Sequence, residues 1–231
     1  MAEHLSQTDK NKKMLYCIGL IFMLCTPYFL VSYTRFTYAM IQTDIQAKIR
    51  NEIVLQAKAQ GYSEVSIPDW YFTKLLNESD KFDLWRSDFM PVYYGIKKIV
   101  WEPAYFNYAI LKTKKPVVVT SQLNNNLSLM VFYNNSNIYF DEPSLIFEFE
   151  RPLNLFNKKN AVIEFNFYLN NQNQFVSIDK KTEDFCKIGN FCYYVVKLND
   201  IDFQAIKKME LVLKSGTYKE LLKSFTVDLE K

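Results

Sequence analysis

The sequence predicts an α+β protein in three parts: an N-terminal transmembrane helix, a small α/β module and a C-terminal antiparallel β-sandwich. Three observations carry this expectation. The run Met14–Tyr33, MLYCIGLIFMLCTPYFLVSY, contains no charged residue. Apolar residues recur every four or five positions between Phe36 and Ala57. From Pro116 onward, short runs rich in β-branched and aromatic residues alternate with polar clusters of Asn, Asp and Lys. The boundaries that follow are 1–13 for a cytoplasmic leader, 14–34 for the membrane helix, 35–110 for the module and 111–231 for the sandwich.

The uncharged run is about twenty residues long, enough to cross a hydrocarbon core of roughly 30 Å. Lys10, Lys12 and Lys13 precede it and Arg35 follows it. The larger positive flank predicts a cytoplasmic N-terminus, with the rest of the chain across the membrane. A cleaved signal peptide would have a shorter apolar core followed by small residues at a cleavage site. Here the run ends LVSYTRF, and bulky Leu24 precedes Cys25, so neither a cleavage site nor a lipoprotein signal is present. Pro27 beside Thr26 is expected to kink the span, which membrane helices tolerate.

Beyond the span, Phe36, Met40, Ile45, Ile49, Ile53 and Ala57 form one stripe of a helix over Arg35–Gln60, expected to face the core. Gly61 is the expected C-terminal cap. Glu64–Ile67 reads as a strand stopped by Pro68, Trp70–Leu76 as a helix capped by Asp69, and Asp83–Tyr94 as another helix that Pro91 kinks or shortens. Gly95 breaks that helix before a strand over Ile96–Trp101. The two strands are expected to be parallel neighbours.

Eight strands are predicted beyond Lys115: Pro116–Ser121, Leu127–Tyr133, Ser144–Phe149, Ala161–Leu169, Phe175–Ile178, Cys192–Leu198, Lys208–Leu213 and Ser224–Leu229. VIEFNFYL alternates clearly, with Ile163, Phe165, Phe167 and Leu169 on one side and Glu164, Asn166 and Tyr168 on the other. Strands at this spacing suggest an antiparallel sandwich.

Composition removes several function classes. The only histidine is His4, in the polar leader, which excludes mechanisms built on a histidine base and histidine metal sites. A net charge of +3 is too mild for a nucleic-acid partner. No phosphate-binding glycine loop, dinucleotide fingerprint or zinc spacing is present, so no cofactor or metal is expected.

Cys186 and Cys192 flank a Gly189–Asn190 turn in FCKIGNFC, a spacing that suits a loop-closing disulfide, with free thiols as the alternative. Glycoside cleavage would need two carboxylates about 5–10 Å apart. Glu148 with Glu150 and Asp69 with Glu78 are the candidate pairs. The alternating acids of IFEFER read as the solvated face of a strand, so no catalytic residue is assigned.

The densest aromatic stretch is Asp83–Glu102, DLWRSDFMPVYYGIKKIVWE. Trp85, Tyr93, Tyr94 and Trp101 are expected to be mostly core, with one wet edge at Tyr93 or Tyr94 that could stack on a sugar. Arg50 and Arg86 are candidates for clamping a phosphate or carboxylate, with pairing to Asp83, Asp88 or Glu52 as the structural alternative. The sequons at Asn77, Asn126 and Asn134 have no necessary meaning.

RNEIVLQAKAQGYSEVSIP (Arg50–Pro68) followed by DLWRSDFMPVYYGIKKI (Asp83–Ile99) resembles the tail of polytopic bacterial membrane proteins of the DUF6056 type, which are glucosyltransferase-like proteins of the cell envelope. Arg50, Ile53, Lys58, Gly61, Val65, Pro68, Trp85, Tyr93, Tyr94 and Gly95 match that outline. The resemblance covers about residues 14–100 and not the β-rich part. It implies a bacterial cytoplasmic membrane and partnership with, or descent from, a polytopic transferase that modifies a surface glycan. This chain has one predicted span and lacks the early loop in which such enzymes would carry catalytic carboxylates. It therefore reads as a non-catalytic envelope component that binds a glycan or a membrane protein partner. The alternative is a scaffold subunit of a secretion or division assembly.

Overall fold

The computed structural model describes residues 2–68, 89–123, 127–135, 142–150, 162–169, 175–181, 183–199, 201–214 and 221–228. The chain divides into two compact units, Met1–Ile41 and Gln42–Lys231.

One helix, α1, runs from Ala2 to Ala59 and keeps Pro27 within it. Its portion over residues 11–59 contains a segment long and apolar enough to cross a membrane, and the apolar side chains of that segment are exposed. Thr26 and Thr34 donate their hydroxyls to the carbonyls of Phe22 and Leu30, at 2.6 and 2.8 Å, which satisfies these polar groups within the helix itself.

In the second unit, the helix ends for a local reason. Gly61 lies at φ +76, in the left-handed region. The N–H of Tyr62 donates to the Ala57 carbonyl at 2.9 Å and the N–H of Gly61 to that of Lys58 at 3.0 Å, the paired bonds of a Schellman cap. Strand β1 (Glu64–Pro68) follows and pairs in parallel with β2 (Lys98–Glu102), in register Val65 with Ile99 and Ile67 with Trp101. Pro68 is thus the last residue of the strand and not the residue beyond it. Between these strands, the described part of α2 is Phe89–Tyr94. Pro91 lies within this piece, which continues beyond it to Tyr94. Gly95, at φ +67, closes α2 with a second Schellman pair: Ile96 N–H to Pro91 at 2.9 Å and Gly95 N–H to Val92 at 3.1 Å. The predicted helix Trp70–Leu76, the start of the Asp83 helix and the Asp69–Glu78 pair lie outside the described residues.

The expected stripe on α1 divides in two. Ile45, Ile49, Ile53 and Ala57 pack into apolar clusters, but Phe36 and Met40 are exposed. The core-facing part of the stripe therefore begins after the first unit ends.

The remaining strands form two antiparallel sheets, as a sandwich requires. One sheet has the order β3 (Val118–Leu123), β4 (Leu127–Asn134), β5 (Ser144–Phe149), β9 (Phe191–Lys197), β8 (Cys186–Ile188). The other has the order β11 (Leu221–Asp228), β10 (Ile206–Lys214), β6 (Val162–Leu169), β7 (Phe175–Lys181). The inward faces meet in one core that includes Leu129, Val131, Phe147, Phe165, Phe167, Tyr194 and Leu211. Phe147 and Phe165 touch across it with ring centroids 4.6 Å apart. Full burial of a residue of this size contributes about 1.5–3 kcal/mol.

The five-stranded sheet is buried on its second face too. Phe132, Ile146, Ile188 and Tyr193 pack there against Ile49 of α1 and against Phe106, Tyr108 and Ile110, the last at the start of the short helix α3 (Ile110–Thr113). An amide ladder fixes this cover. Gln46 Nε2 donates to Asn107 Oδ1 at 2.9 Å, and Asn107 Nδ2 donates to Gln42 Oε1 at 3.1 Å. The second unit is therefore three layers: helix, sheet, sheet. All six residues of β5, at the centre, are buried.

Candidate functional site

The end of α1, the β1–β2 pair and the β8–β9 hairpin enclose an open groove of about 500 Å³. The hairpin turn rests on the helix. At Gly189, φ +60, the site of a Cβ lies 3.5 Å from Ile53 Cγ1. Ile49, Ile53, Val65, Val100 and Ile188 supply the apolar part of the lining. Gln56, Gln60, Glu64, Ser66 and Asn190 supply polar groups. Glu52 is ion-paired with Lys112 in the lining, and Lys187 lies on the hairpin side. Tyr62 and Phe191 are the exposed aromatic residues of the groove. Two acids and two lysines leave it near charge balance.

The residues singled out from the sequence lie elsewhere. Arg50 is buried, at 3% exposure, with its guanidinium carbon 4.5 Å from the centroid of the Trp101 ring. It is built into the interior and not presented to a phosphate or carboxylate in solvent. Tyr94 is half-buried and its hydroxyl donates to Asn51 Oδ1 at 2.8 Å. Burial raises the Tyr94 hydroxyl above its ordinary pKa, Tyr93 adds to the rise, and the nearby Arg50 charge opposes it. Tyr93 is 81% exposed and meets Tyr94 edge to face, with centroids 5.0 Å apart and planes at 89°. The pair is thus a half-buried tyrosine with a wet neighbour. Trp85 and Arg86 lie outside the described residues.

The expected Cys186–Cys192 disulfide is absent: both cysteines are free thiols. Register explains this. Cys186 is opposite Tyr193, and Cys192 is opposite Lys187. Neighbouring positions on a strand point to opposite faces of the sheet. Cys186 therefore joins the helix-side cluster, whereas Cys192 points to the other face. Burial pushes the Cys186 thiol up to about 12 and the Cys192 thiol up to about 11.

Glu148 corrects another expectation. It is buried, not on a solvated face, because the helix layer covers that side of β5. Glu150 is exposed. Burial raises the Glu148 carboxyl, the hydrogen bond from Tyr193 works against that rise, and the charge of Glu150 adds to it. Among the described residues, no group of three or more His, Cys, Asp or Glu side chains converges on a metal position.

Sequence reasoning missed the groove because its lining comes from segments far apart in the chain. A partial signal existed. Tyr62 follows Gly61, and Phe191 follows the Gly189–Asn190 turn, so each aromatic comes just after a reversal that directs it outward. Comparison with protein-family models, curated proteins and solved structures gives no match.

Proposed function

We propose that this chain is a single-pass membrane protein with a cytoplasmic N-terminus, and that its second unit is a non-catalytic glycan-binding component of a bacterial envelope. The observation that carries the reading is the groove. Saccharides offer flat C–H faces to aromatic rings and hydroxyls to amides and carboxylates. Tyr62 and Phe191 supply the first kind of partner, and Gln56, Gln60, Asn190 and Glu64 the second. The lysines before the span support the orientation. Association with, or descent from, a polytopic glucosyltransferase of the cell surface rests on the resemblance of residues 14–100. The alternative, a scaffold subunit of a secretion or division assembly, would use a sheet edge. Of the edge strands, β7 ends in Lys180–Lys181 and β8 has three residues, both poor templates for strand pairing, whereas β3 and β11 are longer edges.

The test is calorimetric titration of the full-length protein in nanodiscs with glucose-containing oligosaccharides. Binding that Tyr62→Ala and Phe191→Ala each weaken at least about tenfold, the equivalent of 1.4 kcal/mol, supports the reading. Binding unchanged by both variants moves the site off the groove. No binding at millimolar sugar, with envelope assembly subunits recovered alongside the tagged protein, favours the scaffold.

A further inference from the structure

The charges of the groove balance in sum but are unevenly placed. Of its two lysines, Lys112 is ion-paired with Glu52, and Lys187 stands on the hairpin wall. The stretch from Gln56 to Ser66 brings no cation to the lining. It brings acceptors instead: the amide oxygens of Gln56 and Gln60, the Glu64 carboxylate and the Ser66 hydroxyl, with the exposed Tyr62 ring among them. Gln56 and Gln60 are four residues apart, which puts them on one side of the chain's helical path. Glu64 and Ser66 are two apart on β1 and share one face of that strand. Among the described residues, none of these four side chains has a hydrogen-bond or ion-pair partner.

The backbone adds to the same sign. Gln56 and Ala57 lie in the last turn of α1, where the helix dipole has its negative pole. Two lysines could cancel this, and neither does. Lys58, the basic residue of that turn, holds its ammonium 3.6 Å from where a Gly95 Cβ would stand, and it is not part of the lining. Lys98 stands opposite Glu64 in the β1–β2 register, yet no ion pair joins the two. This wall is therefore electronegative, rich in acceptors and edged by an aromatic face. A primary ammonium has three N–H donors for carboxylate, amide and hydroxyl oxygens, and a charge that a tyrosine ring attracts. We propose that the groove binds a glycan carrying free amino groups, an unacetylated hexosamine, with its ammonium on Glu64 and against Tyr62. A neutral hexose leaves the carboxylate without a counter-charge, an N-acetyl group removes the charge and adds bulk at the same point, and an acidic sugar meets a wall of its own sign.

This inference rests on the glycan-binding reading of the groove, and the test separates the two. Full-length protein is placed in phosphatidylcholine nanodiscs, whose lipid offers an amine no net charge. It is titrated at about pH 6, below the range of an ordinary α-amino group, with glucosamine trisaccharide and with its fully N-acetylated counterpart. The amine ligand is expected to bind at least about tenfold more tightly. Glu64→Gln keeps the shape and removes the charge, so it should erase most of that preference and leave the affinity for the N-acetylated ligand unchanged. Equal affinities for the two ligands, both weakened by Tyr62→Ala, overturn the ammonium site and leave the glycan groove in place. A preference for the amine that survives Glu64→Gln overturns the assigned position. Binding of glucose oligosaccharides but of neither trisaccharide overturns this inference alone. Binding of no sugar overturns the groove reading and the inference together.

Discussion

The hydroxyl of Tyr193 donates to Glu148 Oε2 at 2.7 Å, within the layer between the five-stranded sheet and the helix. The two residues face each other on adjacent strands of one register, so the pairing satisfies a carboxyl that neither strand could expose. Removing one partner of a buried pair costs more than removing both.

That pair sets a pH dependence. The folded state holds the Glu148 proton above the ordinary carboxyl value of 4.5, chiefly because burial disfavours the charge. A raised carboxyl pKa means that the folded chain binds the proton more tightly than the unfolded chain. Glu148 therefore contributes most to stability below about 4.5, and that contribution declines as pH rises through its folded value. Thermal midpoints measured across that window should fall for the natural chain relative to Glu148→Gln. Tyr193→Phe leaves the carboxyl without its donor and should destabilise by about 1–3 kcal/mol, less in the Glu148→Gln background.

The Arg50–Trp101 contact should be worth about 2 kcal/mol, since both groups are largely withdrawn from water. Trp101→Leu keeps an apolar side chain but loses the ring face. Urea denaturation of Trp101→Leu, Arg50→Met and the double variant should give a favourable coupling of about 1 kcal/mol or more. Zero coupling would reduce the contact to packing.

Cys186 and Cys192 should behave as inert apolar side chains. Their thiols are buried and held near 12 and 11, so almost no thiolate exists at neutral pH. In a Cys17→Ser, Cys25→Ser background, a maleimide should label neither thiol in the folded protein and both after unfolding in urea. Mobility on a non-reducing gel should not change with reductant. A cross-linked folded species would require a register other than the one observed.

Much of the architecture could be read from local chemistry. The parallel β1–β2 pair was legible from Gly61, Pro68 and Gly95, because each marks a place where the backbone must turn or stop. The inward face of β6 followed from strict alternation. Strand β8 was missed because CKI is only three residues, too short for any period to show. Glu148 was misjudged because alternation identifies a second face without saying what covers it. The cover comes from α1 and residues 104–111, which are distant in sequence. The disulfide was inferred from spacing, but one position of register decides whether two side chains share a face. The groove was illegible because its lining comes from the end of α1, β1–β2 and the β8–β9 hairpin, which are far apart in the chain.

The order of strands has a kinetic meaning. The chain lays down β3, β4 and β5 in one sheet, crosses to the other for β6 and β7, returns for β8 and β9, and crosses again for β10 and β11. The five-stranded sheet is complete only once β9 has arrived at Lys197, and the four-stranded sheet only once β11 has arrived at Asp228. Contacts between such distant parts make folding slow, because loop closure must precede the reward of burial. During that interval Ile45, Ile49 and Ile53, made first, have no sheet to cover them. A chain emerging from synthesis would carry a sticky stripe for most of its elongation, and its yield would depend on chaperones that shield it.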